Sequence, residues 1–109
     1  MSSSSASDVG RLHGRRTFAA LRRGGTRRRS GPIMITSVHR SDTDSVRVAY
    51  AIPKAVGPAV VRNRLRRRLR AIVRELPWAP GDHLISASPV AAELSFDQLR
   101  GHVEAAAPA

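Results

Sequence analysis

The chain has 109 residues, enough for one ordinary domain with a modest core. Hydrophobic residues make up 41% and aromatic ones only 4%, so that core rests on Val, Ile, Leu and Ala rather than on rings. Nineteen Lys and Arg against eight Asp and Glu give a net charge of +11, with no cysteine anywhere. The balance points to a polyanionic partner and excludes disulfide scaffolds, thiolate zinc sites and cysteine nucleophiles.

The positive charge is concentrated. Eight arginines and no acid lie between Arg11 and Arg29, and seven more, again with no acid, between Arg62 and Arg74. A basic surface shaped only for solubility intersperses its signs; two unrelieved basic elements suit nucleic acid or an anionic membrane surface. No apolar run approaches the ~20 residues of a membrane helix, and MSSSSASDVG lacks the basic-then-apolar order of a secretory signal. A cytoplasmic protein with no membrane partner is expected.

In chain order, residues 1–10 are Ser-rich and read as a disordered tail, with one domain at 11–109. A short helix is expected over about Arg15 to Arg23, with Phe18 and Leu21 on one face and Gly24-Gly25 as its stop. Thr26 to Ser30 reads as a short edge strand or a loop. Ile33 to Val38 is a β-rich run after Gly31-Pro32; Ser41 to Ser45 is turn chemistry; Val46 to Ile52 is a second run. These two strands are expected to form an antiparallel hairpin. The strongest helix spans Pro58 to Leu76, with Val61, Leu65, Leu69, Ile72 and Leu76 in one stripe and Asn63, Arg64, Arg66, Arg67, Arg70 and Arg74 opposite. Pro77 stops it. His83 to Ala87 reads as a strand, and Ser95 with Gln98 three residues on is a capping box opening a last helix. The sum is a single-domain α+β fold.

No protein-based active site is expected. His13, His39, His83 and His102 show no metal-ligand spacing, the Asp42–Asp44 pair fits turn chemistry, and no Ser, His and acid stand in a nucleophile motif. The arginine helix is the specific feature. A solvated face would carry Glu to form i, i+4 pairs; here the arginines repel one another, a cost that a bound anion relieves. Arginine forks bond two phosphate oxygens at once, and the amide of Asn63 suits a base edge or sugar hydroxyl.

The stretch VRVAYAIPKAVGPAVVRNRLRRRLRAIVREL, residues 46–76, resembles the protein subunit of bacterial ribonuclease P. That family carries a strand of the form R-V-G-x-x-V-S-K-K, then G-N-A-V-x-R-N-R-x-K-R-x-x-R on a helix. Arg47, Val48, Lys54, Gly57, Ala59, Val60, Arg62, Asn63, Arg64, Arg67 and Arg70 match directly, and Arg66 stands for the lysine. Arg11-Leu12, Phe18 and Gly81-Asp82 extend the similarity over roughly residues 11–105. The departures are Ala49 for glycine, Pro53 for serine, Ala55 for lysine and Pro58 for asparagine. Arg22 and Thr36 stand where aromatic residues often occur, and Ser88 where an arginine often does.

The resemblance implies an α-β sandwich in the order αβββαβα, with a left-handed βαβ crossover through the arginine helix. It implies a protein that assists a catalytic RNA in removing the 5′ leader from precursor tRNA, with Mg2+ held mainly by the RNA and no catalytic residue or small-molecule substrate of its own. Lys54, Arg62, Asn63, Arg64, Arg66, Arg67, Arg70 and Arg74 would face the catalytic RNA; Arg11, Arg15, Phe18, Arg22 and Arg47 would meet the leader. Phe18 reads alternatively as core packing, and Tyr50 and Trp78 as packing residues. A structural RNA-binding protein such as a ribosomal protein, and a nucleoid-type DNA-binding protein, are the other classes; the R-N-R helix and the order of elements favour the ribozyme cofactor.

Overall fold

The computed structural model describes residues 9–11, 21, 24–42 and 44–108. Five strands form one mixed sheet: β1 (Val9–Arg11), β2 (Thr26–Ser30), β3 (Ile33–His39), β4 (Val46–Ala51) and β5 (Gly81–Ala87), in the order β1-β4-β5-β3-β2. Helices α1 (Ala59–Glu75) and α2 (Phe96–Ala106) cover one face of the sheet. Period-two patterning aims Ile33 and Ile35 of β3 and Val46 and Val48 of β4 at that face. There they meet Leu65, Leu69, Ile72 and Val73 of α1 and Leu99, Val103 and Ala106 of α2. Each Leu or Ile so buried contributes about 1.5–3 kcal/mol. The α+β class is as expected.

Pro58 is the cap of α1 rather than its first residue, and its carbonyl accepts from Val61 and Arg62 N–H at 3.0 Å. The helix ends at Glu75, before the extended Leu76 and Pro77. At α2 the expected capping box is complete: Gln98 N–H donates to Ser95 Oγ at 3.1 Å, and Ser95 N–H to Gln98 Oε1 at 2.9 Å.

The sheet corrects two expectations. β3 and β4 do not form a hairpin, because β5 lies between them, antiparallel to β3 and parallel to β4. β5 is buried on both faces along nearly its whole length, which suits the centre of a sheet. Its entry is tight: Gly81, at φ +138°, would place a Cβ 2.1 Å from the Val38 carbonyl oxygen. Gly81 N–H donates to Ser45 O and Arg40 N–H to Pro80 O, locking both flanks at that point. The antiparallel hairpin is instead β2–β3, turned at Gly31-Pro32, with Ser30 opposite Ile33 and Gly31 at φ +56°. Thr26–Ser30 is thus a strand.

Val9 and Gly10, expected in the tail, belong to β1, parallel to β4. A three-residue strand containing a glycine has too little alternation to register as one. The expected first helix lies outside the described residues except at its end: Leu21 and Gly24 are helical, and Gly25 N–H donates to Leu21 O at 2.9 Å. Leu21 packs with Ala49 and Leu84 on the face of the sheet opposite α1 and α2.

Candidate nucleic-acid interface

α1 is amphipathic with a single sign of charge. Its apolar stripe faces the sheet, so the residues between are driven outward. Asn63, Arg64, Arg67 and Arg74 are exposed, and Arg62, Arg66, Arg68 and Arg70 are half-buried. Spacings of three and four place Arg64, Arg67, Arg70 and Arg74 along one side of the helix. Lys54 is exposed on the 3-10 turn Lys54–Val56 that leads into α1. The resemblance-derived RNA set is therefore gathered on one helix and its approach.

What holds these side chains is neutral. Arg62 Nε donates to Gly57 O at 3.1 Å, Arg66 Nη1 to Asn63 Oδ1 at 2.9 Å, and Arg68 Nη1 to Leu94 O at 3.2 Å. The Arg70 guanidinium lies over the Tyr50 ring, 5.9 Å from its centroid. No arginine between 62 and 74 has a carboxylate partner among the described residues. Arg68, absent from the expected RNA set, turns toward the segment before α2. Burial pushes the Tyr50 hydroxyl up to about 12, against the opposing pull of Arg70 and Arg74. Tyr50 carries no charge in the working range.

The expected leader set is less fully placed. Arg15, Phe18 and Arg22 lie outside the described residues. Arg11 is on β1, its Cα opposite Val48, beside the Gly10–Arg47 pair. Arg47 forms a two-pronged ion pair: Nε meets Asp82 Oδ1 at 2.8 Å and Nη2 meets Oδ2 at 2.9 Å. A leader contact there would use its remaining N–H groups. Thr36 and Ala49, two of the departures, are buried in the floor of this face beneath Leu21 and Gly25. Pro53, Ala55 and Pro58 are exposed around the turn before α1, and exposed Ser88 is tied to Pro32 O.

Two serine–histidine hydrogen bonds went unforeseen, Ser30 Oγ–His102 Nδ1 and Ser37 Oγ–His83 Nδ1, both 2.8 Å. They resemble half of a catalytic triad, yet among the described residues neither histidine bonds a carboxylate. His83 is fully buried beside Trp78, and its Nε2–H donates to Ala79 O at 2.9 Å. Nδ1 must then accept from Ser37, which fixes the tautomer. Trp78 is a packing residue whose Nε1–H donates to Val73 O. The register that pairs Ser37 with His83 follows from β5 lying next to β3, which the expected hairpin concealed.

Comparison with known proteins agrees with this geometry. A family model described as ribonuclease P matches residues 7–108. The ribonuclease P protein component of Thermus aquaticus is 41% identical over 88 residues, covering 81% of this chain and 52% of the relative. This chain thus spans about half the length of the Thermus proteins it matches. That of Salinispora tropica is 36% identical over 117 residues, covering 88% of this chain and 86% of the relative. Among solved structures, the RNase P protein of Staphylococcus aureus superposes with a TM-score of 0.78 at 20% identity, covering 86% of this chain and 88% of the other. The RNase P protein of Thermotoga maritima gives 0.77 at 22%, covering 86% and 91%. The R-N-R helix, the sheet that carries it and the match over nearly the whole chain agree: this chain belongs to the ribonuclease P protein family.

Proposed function

We propose that this chain acts as the protein component of ribonuclease P, binding a catalytic RNA and the 5′ leader of precursor tRNA while the RNA performs the endonucleolytic cut. The observation that carries the reading is the α1 face, seven arginines with no carboxylate partner among the described residues. Such a face gains by displacing counterions from phosphates. Asn63, exposed beside Arg64, adds an amide nitrogen for a sugar hydroxyl or base edge. Arg11, Arg15, Phe18, Arg22 and Arg47 are assigned to the leader. Phe18 supplies an aromatic platform and the arginines supply charge.

Cleavage of a phosphodiester needs an activated water. No group of three or more His, Asp or Glu side chains is gathered among the described residues. We assign Mg2+ to the RNA. We assign the site of action to the cytoplasm; none of the described helices is long and apolar enough to cross a membrane.

The test is reconstitution. Protein freed of RNA leaves precursor tRNA intact at every magnesium concentration; adding the catalytic RNA of the same cells yields 5′ cleavage at lower magnesium than the RNA requires alone. Site-specific cleavage by RNA-free protein overturns the reading, and so does co-purification with ribosomal RNA or DNA in place of a single ribozyme-sized RNA.

A further inference from the structure

The arginines of α1 divide by what touches them. Arg64, Arg67 and Arg74 make no hydrogen bond or ion pair among the described residues. Arg62, Arg66, Arg68 and Arg70 each rest on a neutral partner: a carbonyl, an amide oxygen, a second carbonyl and an aromatic ring. A carboxylate in any of these places would fix the side chain and cancel its charge. A neutral partner fixes it and leaves the charge for an anion.

Arg70 is held differently from the other three, by a side chain of the sheet. Tyr50 stands on β4, level with Ile85 of β5 and, beyond it, Ile35 of β3. Its ring packs against the main core and is half-buried. It is therefore as fixed as the sheet itself. A guanidinium carbon 5.9 Å from the ring centroid is within cation–π reach, and the ring accepts none of the N–H hydrogen bonds that a phosphate takes. Ordering a long side chain in advance removes a cost that binding would otherwise bear.

We propose that Tyr50 is a positioning residue for RNA binding, its core-seated ring holding the Arg70 guanidinium over the surface of α1 in readiness for an RNA phosphate. This rests on the reading of α1 as the RNA-binding face. The high pKa of the hydroxyl agrees with it, since the ring never becomes a phenolate that would neutralise Arg70.

The experiment measures affinity of the full-length protein for its catalytic RNA across a salt series. Tyr50→Leu is expected to weaken binding by about three- to tenfold, and Tyr50→Phe to rescue most of that loss. Phenylalanine carrying one, two and three fluorines at position 50 keeps the shape of the ring while draining its negative face. Affinity falls stepwise along that series while the thermal midpoint stays level. Tyr50→Leu keeps the salt slope, because Arg70 retains its charge, whereas Arg70→Ala lowers the slope by about one. In the Arg70→Ala background, changes at position 50 have no further effect.

A flat fluorine series overturns the proposal and leaves Tyr50 as packing alone. The series also decides the matter if Tyr50→Leu fails to fold. Arg64→Glu separates the two layers of the argument. If it weakens binding while the fluorine series is flat, α1 binds RNA and Tyr50 does not position it. If it too changes nothing, the reading of α1 fails and the proposal with it.

Discussion

Arginine does two different jobs in this protein, and its partners tell them apart. Arg47 and Arg100 are answered by carboxylates. Arg47 clamps β4 to β5 through Asp82, and Arg100 of α2 reaches Glu75 at the end of α1 and Glu104 one turn further along its own helix. In each case the ion pair joins elements or steadies one, and the charge is spent internally. From Arg62 to Arg74 the partners are carbonyls, an amide oxygen and a ring, and the charge is kept. Clustered like charges oppose folding, so the free protein bears a strain that a bound polyanion would relieve. Arginines paired with carboxylates tie elements together; those of α1 keep their charge for an anion.

The widest separation between the two sets comes from reversing charge on α1. Arg64→Glu with Arg67→Glu should weaken RNA binding on the order of 100-fold and flatten the log–log salt dependence. Thermal stability should hold or rise slightly, since like-charge repulsion on the helix is reduced. Filter binding across a salt series, with circular dichroism melting alongside, reads both quantities. A large fall in melting temperature with an unchanged salt slope would place these arginines in the scaffold instead.

The converse variant is Asp82→Ala. Asp82 is almost buried and Arg47 half-exposed, so removing the carboxylate leaves a cation partly out of water. A loss of about 2 kcal/mol in denaturant unfolding is expected, with affinity for the catalytic RNA nearly unchanged. A marked gain in affinity would show that Asp82 masks Arg47 from RNA, and the dividing line between the two sets would have to move.

How far this division was legible in the sequence depends on the range of the signal. The charge of α1, its apolar stripe and the Ser95–Gln98 box are local, within one or two turns of helix, and the structure carries all three. The partners of the arginines are not local. Tyr50 and Arg70 meet only through the packing of α1 on the sheet, which no periodicity encodes. The β3–β4 hairpin was inferred from adjacency in the chain, a rule that holds for roughly two-thirds of neighbouring strands. Here it fails because β5, arriving some thirty residues later, takes the place between them. Asp82 and His83 are both buried, in interactions that appear only once β5 is central. Of the leader set, Arg15, Phe18 and Arg22 lie outside the described residues.

His83 carries the comparison into the core, where a group must have no charge at all. Burial lowers its pKa below the ordinary value of 6.5; the Ala79 carbonyl and Asp82 pull the other way, and His39 adds to the lowering. The unfolded chain therefore binds a proton at a pH where the folded chain does not. Its contribution to stability is complete above the ordinary histidine value and is lost as pH falls from there toward the lowered one, by about 1.4 kcal/mol for each unit between them. Protonation would also turn Nδ1 into a donor and break its acceptance from Ser37. Denaturant unfolding followed through Trp78, whose ring lies 5.0 Å from that of His83, should show stability declining below about pH 6.5. His83→Gln, which keeps a donor and an acceptor but cannot titrate, should flatten that decline. If the two proteins lose stability in parallel, the acid sensitivity lies elsewhere, and the buried ring is a hydrogen-bonding spacer with no part in it.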